Sequence, residues 1–162
     1  MKVLPVVSSV PNSRWVPPHE NVMMILAENP QKHAGAFGSI YAKGVKTPPE
    51  VARRLISMFN VAGKKVSSEE TRGIIHGAIK KLTVPEENKV SFHDAALEAL
   101  KEDGKRLYSL ALVYAYGAEV PLGKARKVIS VFNQSEAELK PNSAERFAVE
   151  DALEVLQAQV SQ

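Results

Sequence analysis

The chain has 162 residues, of which 44% are hydrophobic and 24% charged, and its formal net charge is +3 at pH 7. These values are ordinary for a globular domain and unlike those of disordered chains, and no apolar stretch approaches the roughly twenty residues that a membrane-spanning helix needs. The sequence contains no cysteine, which excludes disulfides, thiolate nucleophiles and cysteine zinc sites and favours a cytoplasmic protein or one assembled in a particle.

Residues 1–16 come before any helical pattern and predict an extended N-terminal arm. Pro5 and Pro11 interrupt the apolar run too early for a secretory signal, so we expect none. Its apolar side chains are costly to leave in water, so the arm either packs on the protein's own surface or docks on a neighbouring subunit. The residues that would make it an assembly arm are Val3, Leu4, Val6, Val7, Val10 and Trp15.

Four helices are predicted over residues 17–84. Proline or glycine marks three of their ends: Asn29-Pro30 ends the first helix, Gly44 ends the second in a left-handed position, and Pro48-Pro49 opens the third. Ser67 and Glu70 have capping-box spacing at the start of the fourth. The first, second and fourth helices are predicted to cover about residues 19–28, 34–43 and 68–82, and the third is predicted to begin at about residue 49.

The second half of the sequence resembles the first half. Ile40-Tyr41-Ala42-Lys43-Gly44 aligns with Val113-Tyr114-Ala115-Tyr116-Gly117, 73 residues later. At the same separation, residues 52–60 align with 125–133, and every pair is identical or conservatively changed. With one inserted residue, Arg72 and the apolar positions after it align with Arg146 and those that follow. A repeat of this length indicates tandem duplication of one structural unit.

The second copy predicts four further helices. Ser91 is the N-cap of the first, a break at Asp103-Gly104 separates it from the second, Pro121 opens the third and Asn142 caps the fourth. We therefore expect an all-α protein made by tandem duplication of a four-helix unit of roughly 70 residues and packed as one pseudo-twofold helical domain. Its predicted parts are the arm at 1–16, repeat 1 at 17–84 and repeat 2 at 90–158, in one compact body.

Sequence signatures of catalysis and metal binding are absent. There is no phosphate loop, dinucleotide fingerprint, nucleophile elbow or two-histidine helix motif, so we predict no enzymatic activity, cofactor or small-molecule substrate. The histidines do not share a helix face, so we predict no metal site and place them at the surface or at helix starts. They are His19, His33, His76 and His93.

A duplicated polar row on the third helix of each copy is the best functional candidate. Arg53, Ser57 and Asn60 lie on one side of that helix, and Arg126, Ser130 and Asn133 repeat the pattern. Arginine, hydroxyl and amide groups suit phosphate and sugar, so the rows predict binding of an anionic polymer. The alternative is structural: the asparagines cap the helix, the serines bond to a carbonyl and the arginines pair with glutamates.

Two weaker basic features extend this hypothesis. The third helix of repeat 2 carries cations near its N-terminus, opposing the macrodipole unless an anion lies there. Gly73 and Gly77 lie one turn apart beside a row of Arg72, His76 and Lys80. We attribute the glycines to close approach of another helix, with close approach of a ligand backbone or a nucleic-acid strand as the alternative. Together with the rows, the predicted anion-binding residues are Arg53, Arg54, Ser57, Asn60, Arg72, Lys80, Lys124, Arg126, Lys127, Ser130 and Asn133.

Two classes of function remain open. The first is a non-enzymatic nucleic-acid-binding or self-assembling protein, such as a nucleoprotein or coat-like subunit, that uses the basic rows and the arm. The second is a helical adaptor or regulator that binds protein partners, with its acidic last helix as one contact. Salt-sensitive nucleic-acid binding distinguishes the first class from the second.

Overall fold

The computed structural model describes residues 15–84, 89–102 and 106–161, and these residues contain eight α-helices and no strand. The predicted all-α class is therefore confirmed. The predicted break at Asp103-Gly104 falls outside the described residues, but the helices on either side of it are separate. The helices are α1 (Pro18–Glu28), α2 (Pro30–Tyr41), α3 (Pro49–Lys65), α4 (Glu69–Thr83), α5 (Phe92–Glu102), α6 (Leu107–Ala115), α7 (Leu122–Glu136) and α8 (Ala144–Val160).

Polar side chains cap the N-termini of several helices, and two of the predicted capping residues are wrong by one position. Ser91, a predicted N-cap, accepts a hydrogen bond from the Asp94 amide before α5. The Asn29 side chain accepts from the Lys32 amide and caps α2, which begins at Pro30 and not near the predicted residue 34. Ser68 rather than Ser67 caps α4. Ser143 rather than Asn142 caps α8. The N-cap needs extended backbone, which Ser143 has, whereas Asn142 has a φ of 67°.

Two glycines turn the chain after α2 and α6. Gly44 has a φ of 87° and Gly117 a φ of 96°, so both occupy the predicted left-handed region. The helices themselves end slightly earlier, at Tyr41 and Ala115.

The chain divides into two compact units whose limits differ from those of the sequence repeats. The N-terminal unit is Val22–Arg106, and the C-terminal unit is Leu107–Gln162 together with the segment that ends at Asn21. The division thus falls inside α1. The N-terminal unit contains most of α1, all of α2, α3 and α4, and α5 from the other sequence copy. The C-terminal unit contains α6, α7 and α8 together with the first turn of α1.

Buried aromatic contacts organise the N-terminal unit. Tyr41 on α2 meets Phe59 on α3 edge to face, with ring centroids 6.0 Å apart, and lies at the same distance from Phe92 on α5. Ahead of α5, the Val90 amide donates to the Gly44 carbonyl at 2.9 Å and the Val90 carbonyl accepts from the Lys46 amide at 2.7 Å. The segment before α5 is therefore fixed beside the glycine turn.

The C-terminal unit repeats these contacts. Tyr114 on α6 meets Phe132 on α7 edge to face, with ring centroids 5.8 Å apart. The Val16 amide donates to the Gly117 carbonyl at 2.9 Å, and the Val16 carbonyl accepts from the Glu119 amide at 2.7 Å. The segment before α1 is therefore fixed beside the second glycine turn.

The two glycines of α4 are not explained by the predicted close approach of another helix. A Cβ atom on Gly77 would lie 3.7 Å from the Ala42 Cβ atom, which is an ordinary van der Waals separation that an alanine could adopt. A Cβ atom on Gly73 would meet none of the described residues within 4 Å. Close packing among the described residues therefore requires glycine at neither position, and Gly73 is exposed.

Gly73→Ala is expected to stabilise the fold. An alanine fits the open helical position and removes backbone entropy from the unfolded chain, so the free energy of unfolding should rise by about 0.5–1 kcal/mol in urea titrations. Gly44→Ala is the matched control: it forces a side chain into the left-handed region and should lower the free energy of unfolding by about 1–2 kcal/mol. A loss of stability in Gly73→Ala would contradict the open environment of this glycine.

Candidate functional site

The α3 stripe, defined as Arg53, Ser57 and Asn60, is exposed along its whole length. Leu55 and Phe59 on the opposite side of the helix are buried. At 100° per residue the three stripe positions lie about 100–160° around the helix from Phe59, within a narrow arc. Burial of the apolar face therefore presents the predicted polar row to solvent.

The α7 stripe, defined as Arg126, Ser130 and Asn133, has the same geometry. All three residues are exposed, whereas Val128 and Phe132 are buried. The neighbouring cations differ in exposure: Arg54 on α3 and Lys127 on α7 are exposed, and Lys124 is half-buried.

The structural alternative for the stripes is not supported. Helix α3 continues to Lys65 and α7 to Glu136, so Asn60 and Asn133 do not cap these helices. Within the described residues, the Ser57 and Ser130 hydroxyls make no hydrogen bond. The same part of the structure provides no acidic partner for Arg53 or Arg126. The stripe side chains are thus available to a ligand.

Arg72, in contrast, has a structural contact. Its Nη1 atom donates to the Val66 carbonyl at 2.8 Å, and Arg146 makes the related bond to the Leu139 carbonyl at 2.9 Å. These arginines brace the starts of α4 and α8. Lys80, the other α4 residue predicted to bind anions, is exposed.

A pocket of about 360 Å³ lies where the α3 stripe begins. Arg53 shares this pocket with Lys89, which comes ahead of α5 and was not among the predicted residues. Lys89 lies outside any helical periodicity, so no spacing rule links it to Arg53; only the fold brings the two cations to one concavity. The lining is Thr47, Pro49, Ala52, Arg53, Ile56, Leu82, Thr83 and Lys89.

Trp15 occupies the related place in the C-terminal unit. It lines a smaller pocket of about 230 Å³ beside the first turn of α7, with Leu122 and Gln159 among its neighbours. The Gln159 side chain fixes this region by accepting from the Val120 amide and donating to the Ala118 carbonyl. The remaining residues of the predicted arm, Val3, Leu4, Val6, Val7 and Val10, lie outside the described residues.

Three histidines are buried, so of the two placements that the sequence predicted, the surface or a helix start, the surface does not hold for them. His19 and His93 lie at helix starts, as the sequence also allowed, and His33 lies in the first turns of α2 beside Phe37. Burial, with the nearby Lys32 charge, lowers the pKa of His33 to about 4. His76 is exposed.

Neither a metal cluster nor a membrane span occurs in the part of the chain that the structure describes. No group of three or more His, Asp or Glu side chains there can hold a metal ion. None of the helices there is both long and apolar enough to cross a bilayer.

Comparison of this chain with family models, with curated proteins and with solved structures finds no match.

His33 should make stability depend on pH. The folded pKa is about 4 and the ordinary value is 6.5, so the unfolded chain binds the proton first and the free energy of unfolding falls as pH drops from about 6.5 to about 4. Urea midpoints measured at the two ends of this pH range should show that His33→Gln loses less stability than the wild type as the pH falls. His76→Gln is the control and should lose as much stability as the wild type over the same pH range. Equal losses of stability in all three proteins would exclude His33 as the cause of the pH dependence.

Proposed function

We propose that this protein is not an enzyme and binds nucleic acid through the α3 and α7 stripes, in a nucleoprotein- or coat-like role. The observation that carries the proposal is that both arginines, with a hydroxyl and an amide in line, are exposed and have no acidic partner among the described residues. Two exposed arginines alone would be typical of an ordinary solvated surface. The same three residue types at the same spacing on two helices make the functional interpretation stronger.

The chemistry of the stripes suits a phosphate backbone. A guanidinium group binds phosphate oxygens with two parallel hydrogen bonds, and hydroxyl and amide groups complete contacts to phosphate and sugar. Arg53 and Asn60 are separated by about 10 Å along the helix, which spans more than one nucleotide. Such contacts position a strand without reading bases, so we expect little sequence preference and strong dependence on salt.

The Arg53–Lys89 pocket adds to this proposal. Its two cations and apolar wall can receive a phosphate and the sugar beside it at one end of the α3 stripe. Among the described residues, the lining of the related pocket in the C-terminal unit includes Trp15 and contains no cation. We therefore expect the α3 stripe to bind more strongly than the α7 stripe.

We infer that the two stripes descend from one surface by tandem duplication. Supporting features recur in both units: the Tyr–Phe edge contacts, the left-handed glycines and the parallel bridges Val45–Val90 and Val16–Ala118. Retention of the stripe in both copies is expected if it binds something. Pseudo-twofold packing of the copies stays a prediction.

A protein-binding adaptor is the second candidate. Its support is the exposed acidic side of α8, which includes Glu150, Asp151 and Glu154. These carboxylates repel a nucleic-acid strand and suit a basic protein partner. Self-assembly through the N-terminal arm is compatible with either function and stays a prediction.

The double variant Arg53→Glu/Arg126→Glu tests the stripes. Wild-type protein should bind labelled single-stranded RNA and DNA in fluorescence anisotropy, and its affinity should fall steeply between about 50 and 200 mM salt. The double variant should lose at least about tenfold in affinity, because each stripe loses a phosphate fork and gains a repulsive carboxylate.

Lys101→Glu/Lys140→Glu is the matched control, because it changes the net charge equally at exposed positions away from the stripes. It should bind with nearly wild-type affinity. Equal losses in the two variants would mean that only overall charge matters. No binding by the wild type at either salt concentration would exclude the nucleic-acid function and favour the adaptor.

A further inference from the structure

A parallel backbone bridge lies beside the left-handed glycine of each unit. Val90 pairs with Val45 in the N-terminal unit, and Val16 pairs with Ala118 in the C-terminal unit. Val45 and Ala118 each come directly after the glycine, so they occupy corresponding positions. Both bridges have the same two hydrogen bonds, with lengths of 2.9 and 2.7 Å. The two units therefore hold a chain segment in the same way.

In both units the held segment comes from the other sequence copy. Val90 belongs to repeat 2 and is bound by residues of repeat 1, whereas Val16 lies directly ahead of repeat 1 and is bound by residues of repeat 2. Buried histidines extend the correspondence, because His93 and His19 each come three residues after the bridging valine. The first segments of the two copies are thus exchanged within one chain, which is the arrangement of a swapped dimer.

The two exchanged segments differ in how the chain continues from them. Val90 lies between α4 and α5, and both helices belong to the N-terminal unit, so this bridge always forms within one unit. Residues 15–21, here called the tie, belong to the C-terminal unit, but α1 belongs to the N-terminal unit from Val22 onward. The tie is therefore carried by a helix that continues into the other unit.

The C-terminal unit holds the tie by specific contacts. Besides the Val16 bridge, the Asn21 side chain donates from Nδ2 to the Val113 carbonyl at 3.0 Å. Asn21 is 2% exposed, so this hydrogen bond is shielded from water. These contacts fix the direction and register of the tie. Every copy of the chain presents the same acceptor groups, so a tie from another molecule would make identical contacts.

Exchange of the tie between molecules needs movement at one place in the chain. The chain passes between the units from Asn21 to Val22 inside α1 and from Arg106 to Leu107 at the start of α6. Movement about Arg106–Leu107 separates α6, α7 and α8 from the tie while α1 stays intact. Because the closed and exchanged forms make the same contacts, protein concentration decides between them.

We propose that the tie of one molecule binds the C-terminal unit of a second copy of this chain. Reciprocal exchange closes a dimer, and successive exchange builds an open chain of molecules, as a coat-like subunit requires. A tie held in its own chain has an effective concentration of about a millimolar, so exchange becomes significant where the protein is concentrated. The inference rests on the assembly part of the proposed function and is independent of nucleic-acid binding.

Disulfide trapping between two single-cysteine variants tests the proposal, because the chain has no cysteine of its own. Full-length Val16→Cys and Ala118→Cys are mixed at about 10 and 500 µM and oxidised for a fixed time. Residues paired across a backbone bridge are close enough for a disulfide, so a mixed dimer forms when one molecule's tie lies in the other's C-terminal unit. Its yield, measured by mass spectrometry, should rise at least about tenfold between the two concentrations.

The matched control is Val45→Cys mixed with Val90→Cys. These residues form the equivalent bridge, but both belong to the N-terminal unit, so exchange of ties never joins them from different molecules. This mixture should give no mixed dimer above background.

The double variant Val16→Cys/Ala118→Cys locks the tie in its own chain. At about 10 µM it should close its disulfide within one molecule and stay monomeric. Pro17→Cys with Glu119→Cys, at exposed positions beside the bridge, is the second pair should a cysteine at the buried Ala118 position disturb folding.

Two results would overturn the proposal. One is a tie pair that gives no mixed dimer at about 500 µM although the double variant closes its disulfide, and the other is an equal yield from the tie pair and the control pair. Anisotropy titrations of the locked double variant separate this failure from that of the nucleic-acid function. The lock leaves both stripes intact, so the oxidised monomer should bind RNA with wild-type affinity.

Discussion

The edge-to-face contact between a buried tyrosine and a buried phenylalanine determines how the third helix of each sequence copy is oriented. Tyr41 and Phe59 form this contact in the N-terminal unit, and Tyr114 and Phe132 form it in the C-terminal unit. All four side chains are fully buried. Such aromatic contacts contribute about 0.5–1.5 kcal/mol beyond the area that they bury, and they leave a helix little freedom to rotate. With Phe59 and Phe132 directed inward, helical periodicity exposes the arginine, serine and asparagine of each stripe.

The sequence predicts local features of this fold better than its long-range packing. Helix ends were identified wherever one residue has a strong backbone preference, as at Pro30, Gly44 and Gly117. The caps of α4 and α8 were displaced by one residue because two adjacent polar residues can each cap a helix, and only the backbone conformation distinguishes them.

Other features depend on contacts between distant parts of the chain. Helical periodicity contains no signal that the Val90 segment binds beside Gly44, which belongs to the other sequence copy. The same limit applies to Lys89, whose role in the Arg53 pocket follows from that placement. Burial of His33 was also missed, because a histidine near a helix start has no sequence pattern that distinguishes the surface from the core.

The two sequence copies share some surface features and differ in others. The stripes are the same in both copies, which is expected of a surface that contacts a repetitive polymer. The α4 and α8 faces differ, with an open glycine in one and an exposed phenylalanine in the other.

Chemical-shift mapping of the isotopically labelled protein with a short single-stranded RNA tests the central claim most directly. Backbone and arginine side-chain signals from residues 53–60 of α3 and 126–133 of α7 should shift on titration, and the shifts should diminish at high salt. Signals from the acidic side of α8 should stay in place. Shifts concentrated on α8, or no shifts at low salt, would contradict the assignment of the two stripes as a nucleic-acid-binding surface.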